Sequence, residues 1–170
     1  MRITNRFVKT LQDKGLTVAF AESMTCGLAA HQLSTVKGTM NVLRGSFVCY
    51  HPQAKINVLR IPRQMIKKHT AESKEVTDAL AKKLHLLFNA DLYAGITGLA
   101  APGGSETKTK PVGTVFISVS FKKRLFRMRH VFRGSPGEIR KKACEQVYLL
   151  ILDVIKNEPE VKEPEMEVNV

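Results

Sequence analysis

Apolar side chains recur along this chain with two different periods, and each change of period marks the boundary of an element. Between residues 3 and 14, Phe7, Val8 and Leu11 are interleaved with Arg6, Lys9 and Asp13 at the spacing of an amphipathic helix, and Gly15 stands where a left-handed residue ends it. The apolar run 16–21 predicts a buried strand, and the pattern returns to helical spacing over 28–36 before a turn at Lys37-Gly38. Residues 45–50 predict a second short strand, stopped by His51-Pro52 because proline removes a donor and restricts the residue before it. Short helical pieces over 53–69, broken before Pro62, lead to a longer helix capped by Ser73. Its first turn carries Glu75, and Val76, Ala79, Leu80, Leu84 and Leu87 form its stripe. A third strand, 93–97, opens into a loop running from Gly98 to Pro111. The runs 112–121 and 125–132, joined through 122–125, predict an antiparallel hairpin with one solvated face. The last helix opens on a capping box, with Ser135 at N-cap, Pro136 at N1 and Glu138 at N3. Ile139, Ala143, Val147, Leu150, Ile151 and Val154 are its buried stripe.

Helices and strands that alternate and then close on a hairpin and a helix predict an α/β fold with a sheet of mixed direction. In such sheets the loops leaving the carboxyl ends of strands line the ligand crevice, here 22–27, 50–55 and 98–111. The 170 residues suffice for one domain with its own core, placed over 1–156. Residues 157–170 hold five Glu against one Lys with little apolar density, so an acidic, disordered tail is expected there.

Composition narrows the function classes. An apolar fraction of 44% and a charged fraction of 25% are those of a globular protein. No apolar run reaches the ~20 residues that span a bilayer, and Met1 to Arg6 carry no signal-peptide block, so a cytoplasmic protein is expected. Cys26, Cys49 and Cys144 are scattered and odd in number, and the five histidines are dispersed; neither a disulfide frame nor a metal is indicated. The formal charge of +12 favours polyanions in general. The densest basic cluster, Lys122-Lys123-Arg124 with Arg127 and Arg129, accompanies no nucleic-acid-binding motif and is read as a solvated face.

The candidate chemistry gathers at residues 19–27, Ala-Phe-Ala-Glu-Ser-Met-Thr-Cys-Gly. A strand ending in hydroxyl residues at a helix start presents both nucleophiles and free N–H groups. Ser23 and Thr25 can serve there as helix caps or as chemical groups, and the residues alone leave both readings open. Cys26, near the same helix start, is read as a small packing residue.

Three ordered motifs carry a family resemblance: Ala21-Glu22-Ser23-Met24-Thr25-Cys26-Gly27, then Tyr50 with Ala54-Lys55, then Gly98-Leu99-Ala100-Ala101-Pro102-Gly103-Gly104 continuing to Lys110-Pro111-Val112-Gly113-Thr114-Val115. With Phe132-Arg133-Gly134 before the last helix, the chain over about 5–155 resembles the C-terminal domain of the CinA family, which also occurs alone as a nicotinamide-nucleotide amidase. The resemblance implies a three-layer α/β/α fold with a mixed, mostly parallel sheet and a homodimer. It also implies an amidohydrolase that converts nicotinamide mononucleotide to nicotinic acid mononucleotide and ammonia without a cofactor. Ser23 corresponds to the family's proposed nucleophile, and Tyr50 and Lys55 to its accompanying tyrosine and lysine. Lys55 would act as base if burial keeps it neutral, with Tyr50 relaying a proton or holding Lys55. Thr25, Cys26 and Gly27 are candidates for an oxyanion hole or phosphate contact, Thr25 also for capping the helix. Gly98, Ala101, Gly103, Gly104 and Arg140 are candidates for the nucleotide.

The chain departs from the family pattern at Met24 (commonly Cys), Cys26 (Gly), His51-Pro52 (Ser-Asn) and Ala101 (Gly). The retained chemistry with an altered lining leaves one alternative, a nucleotide-binding module of the same family with changed catalysis that acts through a partner.

Overall fold

A computed structural model describes residues 2–157; the acidic tail expected over 157–170 lies outside them but for Asn157. The elements are α1 (Ile3–Asp13), β1 (Val18–Glu22), α2 (Leu28–Ser34), β2 (Leu43–Val48), α3 (Pro52–Asn57), α4 (Arg63–His69), α5 (Lys74–Lys83), β3 (Leu92–Gly98), β4 (Thr114–Phe121), β5 (Arg124–Val131) and α6 (Pro136–Asn157). The strands form one sheet in the order β2-β1-β3-β4-β5. β1 pairs parallel with both β2 and β3, whereas β4 pairs antiparallel with β3 and β5. Four strands therefore run one way and β4 alone runs against them, the mixed, mostly parallel sheet of the expected α/β/α fold.

β1 shows why two layers of helix cover this sheet. All five of its residues are buried, and successive side chains point to opposite faces. Val18 and Phe20 enter the larger core with Phe7, Leu11, Leu33 and the inner stripe of α6. Ala19 and Ala21 face a smaller core with Leu59, Ile61, Val76 and Leu80. Bulk on one face and alanine on the other lets α5 sit close to the strands. Gly95 of β3 marks the closest approach, where an added Cβ would lie 2.7 Å from the Thr77 carbonyl of α5. On the opposite face Tyr148 of α6 packs its ring 5.0 Å from that of Phe7 and donates its hydroxyl to the Ala29 carbonyl at 2.7 Å. One buried tyrosine thus ties α1, α2 and α6 together.

Local signals act as the sequence predicts at most element ends. Ser73 Oγ accepts from Val76 N at the start of α5, and Ser135 and Glu138 exchange hydrogen bonds at the start of α6. Two details differ. The hairpin turn is the two residues Lys122-Lys123, not 122–125, because both adopt positive φ (47° and 62°) and let Arg124 and Leu125 pair at once with Phe121 and Ser120. Leu87 falls past the end of α5 and is exposed, so the stripe stops at Leu84.

Candidate active site

Ser23 is the first residue beyond β1, and the sheet holds it on one side. Its N–H donates to the Ile96 carbonyl of β3 at 3.0 Å. The chain then reverses: Cys26 N–H donates to the Ser23 carbonyl at 3.1 Å, and Cys26 and Gly27 take left-handed φ of 51° and 89°. This turn aims α2 back over the sheet, and Glu22 fixes its start. The fully buried Glu22 carboxylate accepts from Ala29 N at 3.0 Å, Ala30 N at 3.1 Å and Ser46 Oγ at 2.8 Å. It fills the capping place expected of Thr25, and a carboxylate at a helix N-terminus gains from the dipole as well as from the hydrogen bonds. A Glu22→Ala chain is expected to lose about 3 kcal/mol of stability, since two buried N–H groups and a hydroxyl lose their acceptor; urea unfolding checks this, and a loss under ~1 kcal/mol would rule out the anchoring role.

Lys55 comes from α3, whose start is set by His51, with Nδ1 accepting from Gln53 N, and by Pro52. Its side chain points inward and is 0% exposed. Nζ lies 3.0 Å from Ser23 Oγ and donates to the Cys49 carbonyl at 2.6 Å. Burial drives this amine below the usual lysine range, opposed by Cys49 and Glu72. Cys49 opposes only as a thiolate, and burial pushes its own thiol up to about 11. Below that pH the thiol is neutral, which leaves Glu72 alone opposing the effect of burial on an amine set beside a serine that is itself 5% exposed.

Ser23 opens into a cavity of about 210 Å³, walled by Met24, Tyr50, Glu72, Arg140 and the loop 98–104. The structure thereby brings together Ser23, Tyr50, Gly98, Ala101, Gly103, Gly104 and Arg140, with Lys55 directly behind Ser23. Tyr50 stands at the rim, 60% exposed, and the hydrogen bonds that hold Lys55 come from Ser23 and Cys49, not from Tyr50. Arg140 donates Nε to the Met24 carbonyl at 2.9 Å, which fixes its guanidinium over the turn after Ser23.

Thr25, Cys26 and Gly27 do not line this cavity. Cys26 is exposed, not packed, because its left-handed backbone turns the side chain outward. Thr25 is 2% exposed and its Oγ1 has no hydrogen-bond partner among the described residues. The two glycines expected to meet a phosphate are already engaged: Gly103 N and Gly104 N donate to the two carboxylate oxygens of Glu106 at 2.8 Å each. Their N–H groups hold the Glu106 carboxyl below its usual range, so the loop does bind an anion, its own. The sequence offered no signal for Glu72 or Glu106, whose roles depend on how distant loops meet. Among the described residues no group of three or more His, Cys, Asp or Glu is arranged to hold a metal, and no helix is long and apolar enough to cross a membrane.

A mixed α/β/α sheet carrying a buried serine–lysine pair at the carboxyl end of its central parallel strand defines the class of protein. The chain belongs to the CinA C-terminal domain family, whose sequence model matches residues 1–155. It is 34% identical over 147 residues to a CinA-like protein of Petrotoga mobilis, covering 86% of this chain and 36% of that protein. This chain thus spans about a third of that relative's length. The crystal structure of competence damage-inducible protein A (ComA) from Klebsiella pneumoniae superposes with a TM-score of 0.86 at 25% identity, over 92% of this chain and 97% of the other. A CinA-superfamily protein from Escherichia coli gives 0.84 at 26% identity, over 89% and 88%.

Proposed function

We propose that this chain is a serine amidohydrolase that removes ammonia from nicotinamide mononucleotide to leave nicotinic acid mononucleotide. The observation that carries the reading is the 3.0 Å contact between a buried lysine with a lowered pKa and a serine facing a cavity. A neutral amine at that distance accepts the Ser23 proton as Oγ bonds to the carboxamide carbon. The resulting ammonium protonates the departing nitrogen, releasing ammonia and an ester on Ser23. Water attacks that ester with Lys55 again accepting a proton, and cleavage of the Oγ–acyl bond returns it to Ser23. One amide and one water become one carboxylate and one ammonium. Cys26 N–H is committed to the Ser23 carbonyl, whereas the N–H of Met24, a residue of the cavity wall, makes no hydrogen bond among the described residues and is the donor open to an oxyanion. Tyr50, at the rim, shields the ester from bulk solvent and is a proton donor within the same cavity.

The substrate assignment rests on the family and on the size and polarity of the cavity. Ammonia release from nicotinamide mononucleotide, set against nicotinamide riboside and simple amides, tests it; release from other amides alone would remove the nucleotide. Retained nucleotide binding with no ammonia from any amide would indicate the non-catalytic module instead. A homodimer fits the exposed Met40, Val48 and Tyr50 along and beside the edge strand β2. A monomer mass by light scattering at assay concentration would end that part of the proposal.

A further inference from the structure

The cavity that holds Ser23 carries one carboxylate, Glu72, which makes no bond in the serine–lysine chemistry although its charge opposes the lowering of the Lys55 pKa. It comes from the connection between α4 and α5, immediately before the Ser73 cap, and the loop on the far side of the cavity fixes it in place. Ser105 Oγ donates to Glu72 Oε2 at 2.6 Å. Lys110 Nζ in turn donates to Ser105 Oγ at 2.8 Å, to the Glu72 carbonyl at 3.0 Å and to Thr70 Oγ1 at 2.7 Å. One carboxylate oxygen is thus held by the relay, and Oε1 accepts no hydrogen bond among the described residues. Arg140 lines the same cavity, its guanidinium anchored through Nε alone among the described residues, leaving its terminal nitrogens for a ligand. The lining therefore carries one acidic and one basic side chain, with Tyr50 as an exposed ring beside them.

We infer that Glu72 is a specificity-determining residue that selects amides whose aromatic ring bears a positive charge, with Arg140 facing the anionic end of the same ligand. The inference rests on the amidase reading for its choice of ligand. A neutral carboxamide gains nothing from a half-buried carboxylate beside it and leaves that charge partly desolvated. An N-substituted pyridinium adds to the positive charge that Lys110 and Lys55 already set near this carboxylate, at a range where Coulomb attraction exceeds its value in water. A phosphate on the same ligand would be repelled by Glu72 and drawn to Arg140, so the two charges also set the direction in which an inner salt enters.

The test compares two ligands with the same carboxamide, ribose and phosphate: nicotinamide mononucleotide, whose ring is cationic, and its dihydropyridine form, whose ring is neutral. Calorimetric titration uses Ser23→Ala, which prevents turnover, with and without Glu72→Gln. Glutamine keeps the shape and can still accept from Ser105, so the loop clamp survives while the charge goes. The expected result is a loss of affinity of about tenfold for the cationic ring and under about twofold for the neutral one, with Glu72→Asp retaining the preference. Equal losses for both ligands, or no loss, would assign Glu72 to the clamp and overturn the inference. Failure of the cationic ligand to bind overturns it as well, whereas a neutral ligand that binds only once Glu72→Gln is made supports it. Ammonia assays on the parent enzyme separate the two levels. Charge-selective binding without ammonia release removes the amidase and leaves the selection standing. Ammonia release with an unmoved affinity ratio removes the selection alone.

Discussion

A Ser23→Ala enzyme is expected to release ammonia at least ~10³-fold more slowly than its parent while melting within a few degrees of it. The substitution deletes one oxygen that is 5% exposed, and the hydrogen bond it shares with Lys55 contributes about 1 kcal/mol to stability. Neighbours that fix the local backbone remain, because the bond from residue 23 N–H to Ile96 and the turn closed by Cys26 use only main-chain atoms. What disappears is the only side-chain hydroxyl on the cavity wall placed against a buried amine. Without it water must attack the amide directly, and the residual rate reports binding and oxyanion stabilisation alone. The thiol three residues away makes a defined rival. Cys26 is exposed and off the cavity wall, so Cys26→Ser should leave the rate within about twofold, as expected of a substitution outside the reacting groups. The opposite pair of results, a silent Ser23→Ala and a dead Cys26→Ser, would transfer the nucleophile to the thiol.

How much of this site could be read from the chain depends on how local each interaction is. The position of Ser23 was legible because a strand, a hydroxyl cluster and a helix start follow one another closely, while its choice as nucleophile over cap came from the family resemblance. The capping box of α6 and the Ser73 cap of α5 were legible for the same reason: donor and acceptor lie three residues apart. The capping of α2 was not, because Glu22 reaches forward seven and eight residues around a turn whose shape depends on two left-handed residues. A threonine at the expected spacing drew the assignment, and the carboxylate took the place. Lys55 was placed near Ser23 only through its family; its spacing of 32 residues from Ser23 is set by β2 lying next to β1 in the sheet, which no local pattern specifies. Glu106 illustrates the opposite limit. The Gly103-Gly104 pair was read as an anion site and is one, but a carboxylate two and three residues downstream occupies it. Any incoming phosphate would have to displace that side chain, a cost visible only once the loop is folded.

Replacing Lys55 by methionine is expected to abolish ammonia release to the same ~10³-fold extent and, unlike Ser23→Ala, to change how stability depends on pH. An unfolded chain carries Lys55 with a pKa of about 10.4, whereas burial lowers it in the folded protein. As pH falls below about 10.4 the unfolded chain takes up a proton that the folded one refuses, so the parent loses stability at up to ~1.4 kcal/mol per pH unit. The loss stops when pH reaches the lowered folded value, below which both states carry the proton. Methionine has no proton to bind, so the stability difference between variant and parent should move in the variant's favour across that window and be flat outside it. Cys49 does not blur the comparison at lower pH, since its thiol, raised to about 11, stays protonated there. The same lowered value should appear as the ascending limb of kcat/KM against pH in the parent, because only the neutral amine can take the Ser23 proton. Lys55→Arg separates a base from a mere positive charge: guanidinium keeps its proton at every accessible pH, so that enzyme should be inactive throughout. A difference curve with no slope between pH 7 and 10, or an active Lys55→Arg enzyme, would mean that Lys55 is buried as a cation, and the serine would need another base. Denaturant unfolding at several pH values, run beside the rate profile, decides between these outcomes, since a base that is neutral in the folded state must leave its mark on both.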